Sequence, residues 1–198
     1  RAELHVKSGI KVQDFPGPQS VVIFGQGGMR YDDPASFAAS LLNEILGGGR
    51  FSARLMTEVR EKRGLTYGIG TGLASYDHAE ALMGQFQASN DKVAEAIDVI
   101  KAEWAKIATG DVTEDELKNA KTFMTGSYPL RFDGNGTIAS ILVGMQIMGL
   151  PSDYPKTRNA RVEAVTMADV KRVAARLFKP DDLNFIVVGQ PVGVSANE

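Results

Sequence analysis

Short apolar runs alternate with helical patterns along the chain and divide it into strands and helices. The β-branched and aromatic run at 21–24 lies between a Pro-Gly-Pro turn and a glycine-rich segment, which predicts a central strand. Apolar residues then recur at helical spacing over 33–46 and stop at the three glycines at 47–49. Asp33 followed by Pro34 predicts the N-cap and the first turn of this helix.

A second amphipathic helix is predicted over 51–62, directly after the three glycines, and it stops before Gly64. Its apolar positions repeat every four residues and are Phe51, Leu55 and Val59. Arg54 and Glu58 have the spacing of an ion pair on its surface. The basic side chains of this region are interleaved with glutamates, a pattern typical of a solvated helix face. They are Arg50, Arg54, Arg60, Lys62 and Arg63.

Residues 66–76 change to the two-residue period of a β-strand. One face carries Tyr67 and Ile69, whereas the other face is almost bare, with glycines at 68, 70 and 72. Asp77 and His78 then form a turn, and 81–89 can return as the antiparallel partner. The sequence therefore predicts a β-hairpin with one face made mostly of backbone.

Beyond residue 90 the pattern is mostly helical and closes with one strand. Predicted helices cover 91–108, a segment opened by a capping box at Thr113, 138–148 and 166–178, and the apolar run 183–188 suits a strand inside a sheet. The apolar stretch 138–150 is too short to cross a bilayer, so we expect a buried helix there. Strands at both ends and in the middle, with helices grouped between them, indicate an α+β fold. No repeat or linker divides the chain, so we interpret 1–198 as a single domain.

Composition and charge exclude several classes of protein. With 198 residues, 43% of them hydrophobic, the chain can bury one substantial core. Its 22 basic and 24 acidic side chains give a formal charge of −2, which argues against a nucleic-acid partner. The lack of cysteine removes disulfides, thiolate zinc sites and cysteine nucleophiles, but it leaves the compartment open. The first residues carry neither an initiator Met nor an apolar signal segment, so we expect a piece of a longer or processed protein.

The common hydrolytic motifs are missing from the sequence. The two histidines, His5 and His78, are far apart, so neither helical zinc motif, H-E-x-x-H or H-x-x-E-H, occurs. No G-x-S-x-G elbow presents a nucleophilic serine, and Ser127 lies within a helical pattern. We therefore predict no metal ligands and no bound cofactor in this chain.

Glycine-rich segments raise a weaker alternative, a nucleotide site. The segment 25–28 follows a predicted strand and precedes a helix, as a dinucleotide loop would, but Arg30 occupies the position of the third glycine. The glycines at 47–49 join two helices, and a helix C-cap with a tight corner explains them. A dinucleotide-binding enzyme is therefore the weakest of the alternatives.

The segment 46–67 is far more specific. It reads LGGGRFSARLMTEVREKRGLTY and resembles the C-terminal half of the pitrilysin/insulinase family of zinc peptidases, especially the branch that includes the mitochondrial processing peptidases. The segments 129–132 and 185–189 are also similar to bacterial members. The resemblance covers nearly the whole chain.

This resemblance implies a fold, a site and a partner. In the family, two homologous halves close like a clam around a peptide-sized chamber, and each is a largely antiparallel sheet with helices packed on one side. The zinc motif belongs to the N-terminal half, whereas the C-terminal half contributes an arginine and, seven residues later, a tyrosine, which match Arg60 and Tyr67 here. The implied zinc thus lies in an N-terminal domain or a partner subunit, and the implied substrate is an unfolded peptide. Bacterial relatives imply a periplasmic location, with the cytoplasm as the alternative.

Physical chemistry gives Arg60 and Tyr67 a role in such an enzyme. Peptide hydrolysis passes through a tetrahedral oxyanion, which a guanidinium and a phenol can stabilise together. A helix that ends at Gly64 and leads into a strand would hold both groups on one wall. Without the resemblance, Arg60 would be interpreted as a residue interacting with a helix terminus and Tyr67 as a half-buried strand aromatic.

Two functional hypotheses result. The first is the metal-free C-terminal domain of a zinc endopeptidase, inactive by itself. The second is a non-catalytic assembly or peptide-binding subunit of the same fold, in which Arg60 and Tyr67 are remnants. An H-x-x-E-H motif in a neighbouring half would distinguish them.

Overall fold

One five-stranded sheet forms the centre of the fold. The computed structural model describes residues 8–196. The strands run in the order β1-β5-β2-β4-β3; β1 and β5 are parallel, and the other three pairings are antiparallel. Their bounds are β1 Gly9–Asp14, β2 Gln19–Gly27, β3 Ile69–Ser75, β4 Glu80–Ser89 and β5 Asn184–Gly189. The predicted α+β fold with a largely antiparallel sheet is confirmed.

Helices cover one face of this sheet. Side chains along β2 and β5 alternate between buried and exposed, so only one face of the sheet contributes to the core. The longer helices in residues 8–196 are α1 Ser36–Gly47, a π-helix Met56–Glu61, α2 Val93–Ala108, α3 Glu114–Ser127, α4 Asn135–Ile147, α5 Tyr154–Ala164 and α6 Met167–Leu177. Three short 3₁₀ helices accompany them, at Asn90–Lys92, Pro129–Arg131 and Pro180–Asp182.

An aromatic cluster lies at the centre of the core. Phe24 of β2 stacks on Phe185 of β5 with ring centroids 5.7 Å apart, and Trp104 of α2 meets Phe24 edge-on at 6.1 Å. The indole Nε1 of Trp104 donates a 2.6 Å hydrogen bond to Gln26 Oε1, so both buried polar groups are paired. Phe178, directly after α6, lies 5.2 Å from Trp104. These contacts join two strands and two helices into one core.

The predicted hairpin and capping box are both present. β3 and β4 pair antiparallel, and the Tyr76 N–H donates to the Ala79 carbonyl at 2.8 Å across the turn. The Thr113 hydroxyl accepts from the Glu116 N–H, and the Glu116 carboxylate accepts from the Thr113 N–H. The run 183–188 forms β5, which lies between β1 and β2 inside the sheet, as predicted.

The N-terminal elements differ in part from prediction. The apolar pattern gives no signal for β1, because an edge strand with the sequence GIKVQD lacks the apolar run of a buried strand. α1 begins at Ser36, so the prediction of Asp33 as its N-cap is wrong. Asp33 lies in a turn before the helix, where its Oδ1 accepts from the Ala35 N–H at 2.8 Å and its carboxylate binds Arg176 of α6.

The predicted second helix is shorter and of another kind. Phe51 lies in a turn and is 62% exposed, so its assignment to the apolar stripe is wrong. The turn is made possible by Gly49, whose φ of +86° breaks the helical period. Helical structure starts at Arg54 and becomes the π-helix. The predicted ion pair between Arg54 and Glu58 is also wrong, because Arg54 binds carboxylates on α2 and α3.

α4 is apolar on nearly every side, yet it is not buried. The stretch 138–150 predicts a buried helix, and this prediction is wrong, because within α4 only Met145 is buried. Leu142, Val143 and Ile147 are exposed, the last by 79%. Hydropathy does not tell whether an apolar helix is covered by its own chain or by another. No helix in residues 8–196 has the length and hydropathy to cross a membrane.

Candidate functional site

The π-helix and the turn after it position Arg60 and Tyr67. Arg60 lies in the last turn of the π-helix. The chain then reverses at Gly64, whose φ of +60° favours glycine and whose N–H donates to the Arg60 carbonyl at 2.8 Å. The Leu65 N–H donates to the Val59 carbonyl at 2.9 Å. These bonds end the helix tightly, so the segment leading to β3 begins beside Arg60.

Thr66 fixes the segment that carries Tyr67. It is buried, and its hydroxyl donates to the Gln87 carbonyl of β4 at 2.7 Å, while the Gly68 N–H donates to the same hydroxyl at 3.2 Å. Tyr67 lies in a bend directly before β3 and is 91% exposed, so the alternative interpretation of a half-buried strand aromatic is wrong. The strand begins at Ile69 instead of 66, and Ile69 is buried, so the prediction that Tyr67 and Ile69 share one strand face is also wrong.

Arg60 and Tyr67 line one cavity of about 470 Å³. Its walls include Gln19 of β2 and Gln87 of β4, and Gln87 Nε2 donates a 2.8 Å hydrogen bond to Gln19 Oε1. Lys92 lies at the same cavity and donates from Nζ to a backbone carbonyl of the turn at 2.8 Å. The structure brings together the two residues that the sequence singles out, and their catalytic role stays a prediction.

A glycine-lined groove of about 740 Å³ adjoins this cavity on the open face of the sheet. Gln87 lines both spaces. Glycines of β3 form part of the groove, together with those at 47–49. A Cβ at Gly47 would come within 2.5 Å of Thr71 Oγ1, so glycine is what lets the end of α1 approach β3. The predicted helix end and tight corner at 47–49 are confirmed.

The guanidinium of Arg60 has no acidic partner in residues 8–196. Glu58, two residues away, is engaged by Lys62 at 2.6 Å and by Arg63 at 2.8 Å. Hydrogen bonds from these two cations lower the pKa of the Glu58 carboxyl below its ordinary value. Arg60 instead lies over the ring of Phe51, with its Cζ 4.7 Å from the ring centroid.

Arg54 and Arg50 stabilise the structure, so the prediction of a solvated face is wrong for both. Arg54 is 14% exposed and donates to the two oxygens of Glu116 at 2.6 and 2.8 Å, with Glu103 at 3.9 Å. Burial acts to raise the pKa of Glu116, but the hydrogen bonds from Arg54 and Thr113, together with the charge of Arg54, outweigh it and the pKa is lowered. Arg50 Nε binds Glu44 at 2.5 Å.

The described residues do not fit a zinc site. Residues 8–196 contain no group of three or more His, Asp or Glu side chains placed to hold a metal ion. His78 is exposed in the β3–β4 turn, His5 lies outside the described residues, and Ser127 is the last residue of α3. The dinucleotide alternative also lacks support: β2 continues through Gly27 and α1 begins only at Ser36, so no strand-to-helix phosphate loop forms.

Sequence patterns miss two residues of this site. The two-residue period predicted over 66–76 puts Thr66 opposite to Tyr67, and this is the signal that could have indicated an inward hydroxyl. Phe51 gives no such signal, because its spacing from Leu55 is that of a core residue.

Relatives with curated names are bacterial. An uncharacterized zinc protease of Streptomyces coelicolor is 29% identical over 157 residues, which cover 79% of this chain and 34% of that protein. The non-peptidase homolog YmxG of Helicobacter pylori is 26% identical over 173 residues, which cover 86% of this chain and 39% of that protein. The chain thus spans little more than a third of the length of these relatives.

Solved structures share this fold, and a family profile matches the sequence. The peptidase M16 inactive domain from Pseudomonas fluorescens superposes with a TM-score of 0.84 at 31% identity, covering 97% of this chain and 45% of that chain. The inactive peptidase domain of a Bordetella parapertussis protein has the same fold, with a TM-score of 0.73 at 15% identity, covering 94% of this chain and 97% of that chain. The profile of the peptidase M16 inactive domain matches residues 2–124. The chain therefore belongs to the peptidase M16 inactive domain family.

Proposed function

We propose that this chain is the metal-free C-terminal half of a zinc metalloendopeptidase, with residues 1–198 forming one domain of a longer protein. Membership of the M16 inactive domain family and partial coverage of a relative named as a zinc protease support this assignment. The domain by itself is inactive, because its described residues offer no ligand set for zinc. Zinc is held by an N-terminal domain or a partner subunit.

Arg60 and Tyr67 are the proposed catalytic residues of this half. The observation that carries the proposal is their position at one cavity, with an arginine that has no acidic partner among the described residues. Attack on a peptide carbonyl places negative charge on its oxygen, and the N–H groups of Arg60 and the hydroxyl of Tyr67 donate hydrogen bonds to that oxygen. Zinc bound by the other half supplies Lewis-acid chemistry.

An unfolded peptide is the proposed substrate, and the zinc-bearing half is the proposed partner. The glycine-lined groove supports the first proposal, because the seven glycines of its lining leave backbone exposed that an extended main chain can approach closely. Exposed apolar side chains on α4 and on the open sheet face support the second, since such patches mark surfaces that another domain or chain covers. Those of the sheet face outside the groove are Ile186 and Val188.

Arg60→Ala in the full-length protein that contains this chain tests the proposal. We expect an unchanged zinc content and a fall in kcat of about 10²- to 10³-fold on a quenched fluorescent peptide that the parent protein cleaves, the usual loss for one oxyanion donor. Arg131→Ala removes an exposed arginine that does not line the cavity and should leave kcat unchanged. An unchanged kcat in Arg60→Ala would remove this residue from the mechanism.

A non-catalytic assembly or peptide-binding subunit is the second candidate. The name of the Helicobacter pylori relative, a non-peptidase homolog, favours it. The neighbouring half of the full-length protein decides between the two: an H-x-x-E-H motif with stoichiometric zinc by elemental analysis supports the enzyme, whereas a half without motif or zinc supports the scaffold.

We propose a periplasmic location, as the family resemblance of segment 46–67 implies, with the cytoplasm as the alternative. Cell fractionation of the tagged full-length protein distinguishes the two. Recovery with a periplasmic marker enzyme supports the first, and recovery with a cytoplasmic marker supports the second.

A further inference from the structure

Arg60 lies against an aromatic ring instead of a carboxylate. Its Cζ is 4.7 Å from the centroid of Phe51, a residue that is 62% exposed and therefore contributes little to the core. We propose that Phe51 is a positioning residue, which holds the Arg60 guanidinium at the cavity and leaves its hydrogen-bond donors free. This inference rests on the function proposed above and adds to it a residue that acts through Arg60.

A guanidinium held by an aromatic ring keeps donors that an ion-paired guanidinium loses. The Phe51 ring lies 4.7 Å from Arg60 Cζ and has no oxygen that could occupy the five N–H donors of the group. A carboxylate instead occupies two of those donors, as Glu116 does for Arg54. Phe51 thus restricts the position of Arg60 by a cation–π contact without competing with an oxyanion for its N–H groups.

The turn beneath Phe51 is anchored by its neighbours. Arg50 binds Glu44 of α1 at 2.5 Å, and the Arg50 Cζ lies 4.6 Å from the centroid of Phe123 on α3. The Ala53 N–H donates to the Arg50 carbonyl at 3.1 Å on the other side of Phe51. The aromatic ring therefore projects from a base that is tied to two helices, as a positioning group requires.

Phe51→Leu and Phe51→Tyr in the full-length protein separate the effect of a ring from that of an apolar side chain. In the unsubstituted protein the ring current of Phe51 should shift the Nε–H and δ-methylene protons of Arg60 upfield in NMR spectra of selectively labelled arginine. This shift should disappear in Phe51→Leu and persist in Phe51→Tyr. Identical Arg60 resonances in all three proteins would overturn the inference, whatever the outcome for the proposed function.

The kinetic test uses the same variants and the same quenched fluorescent peptide. Phe51→Leu should lower kcat by about threefold or more, which is less than the loss from Arg60→Ala, and Phe51→Tyr should restore it. Phe51→Leu should have no further effect in the Arg60→Ala background, because Phe51 acts only through Arg60. Phe15→Leu removes a ring of similar exposure, 64%, from another part of the surface and should keep the full kcat.

The outcomes separate this inference from the proposed function. If Arg60→Ala lowers kcat and Phe51→Leu does not, the positioning role is wrong and the proposed function stands. If Phe51→Leu lowers kcat equally in the presence and absence of Arg60, Phe51 acts by another route and the inference is again wrong. If Arg60→Ala leaves kcat unchanged, the positioning role of Phe51 and the catalytic role of Arg60 both fail.

Discussion

Two arginines six residues apart on one short helical segment differ in the groups that contact their guanidinium. Arg54, where the segment begins, is nearly buried and is bound by the carboxylates of Glu116 and Glu103. Arg60, near its end, lies over the ring of Phe51 and lines the cavity. A cation that stabilises the fold has its donors occupied by fixed partners. A cation that is to bind a ligand must be held by contacts that leave those donors free.

The backbone around the two arginines shows the same difference. Arg54 Nη2 also donates to the Asp111 carbonyl at 2.6 Å, so the side chain itself joins the segment to the α2–α3 connection. The other end is held by backbone hydrogen bonds at Gly64 and by the buried hydroxyl of Thr66. Arg60 therefore contributes little to the structure around it, and the comparison predicts different costs for substitutions at the two ends.

Arg54→Ala should be the most destabilising of these substitutions. It removes the arginine partner of Glu116, which is partly exposed, and leaves the buried Glu103 with Lys106 alone, and we expect a loss of about 2–4 kcal/mol in the free energy of unfolding. Urea unfolding followed by circular dichroism measures this loss. Arg60→Ala is the matched control and should cost less than about 1 kcal/mol. Similar losses for both variants would contradict the comparison.

Thr66→Val should have the next largest effect on the free energy of unfolding. It tests the contact that holds the chain after Gly64, at the Arg60 end of the segment. The variant keeps the shape of the side chain and leaves the Gln87 carbonyl without the hydroxyl donor, at a cost of about 1–2 kcal/mol. Thr122→Val removes an exposed hydroxyl from α3 and should change stability by less than about 0.5 kcal/mol. If the two variants unfold at the same urea concentration, Thr66 does not anchor this segment.

Features with a local cause can be predicted from this sequence. The capping box at Thr113 and the hairpin of β3 and β4 depend on residues close together in the chain, and both are confirmed. The partner of Arg54 depends on long-range packing: Glu116 is 62 positions away, whereas the local rule favours Glu58. Local spacing also assigns Phe51 to the core, because the spacing of apolar residues does not show the turn that Gly49 introduces.

The candidate site is predictable by similarity and not by pattern. Spacing alone leaves Arg60 and Tyr67 as ordinary surface or strand residues, and only the resemblance of 46–67 singles them out. For α4 the pattern predicts burial that the structure does not show. The helix is apolar on nearly every side, but nothing within residues 8–196 covers most of its side chains. A single chain shows where apolar surface exists, but it does not show which other domain covers it.

The lowered pKa of Glu116 makes the ion pair between Arg54 and Glu116 sensitive to acid. We expect a smaller change in the free energy of unfolding than for the two substitutions above, because this carboxylate is partly exposed to solvent. As the pH falls, the unfolded chain binds a proton at Glu116 near the ordinary value of 4.5, before the folded chain does. The stabilisation is therefore complete above 4.5 and is lost as the pH falls through the lower folded value. Stability should decline more steeply below pH 4.5 in the unsubstituted chain than in Glu116→Gln, and parallel curves from urea unfolding would contradict this assignment.

Tyr67→Phe should have the smallest effect on stability, and it tests the functional end most directly. Tyr67 is 91% exposed and its hydroxyl makes no hydrogen bond within the described part of the chain, so the free energy of unfolding should change by less than about 0.5 kcal/mol. In the full-length protein the same variant should lower kcat by about 10²-fold, because an oxyanion donor is lost while the ring remains. Tyr76→Phe, at a 63% exposed position in the β3–β4 turn, should change neither quantity. A Tyr67→Phe chain that no longer folds, as judged by circular dichroism, would mean that the hydroxyl stabilises the structure, and the distinction between the two ends of the segment would then be wrong.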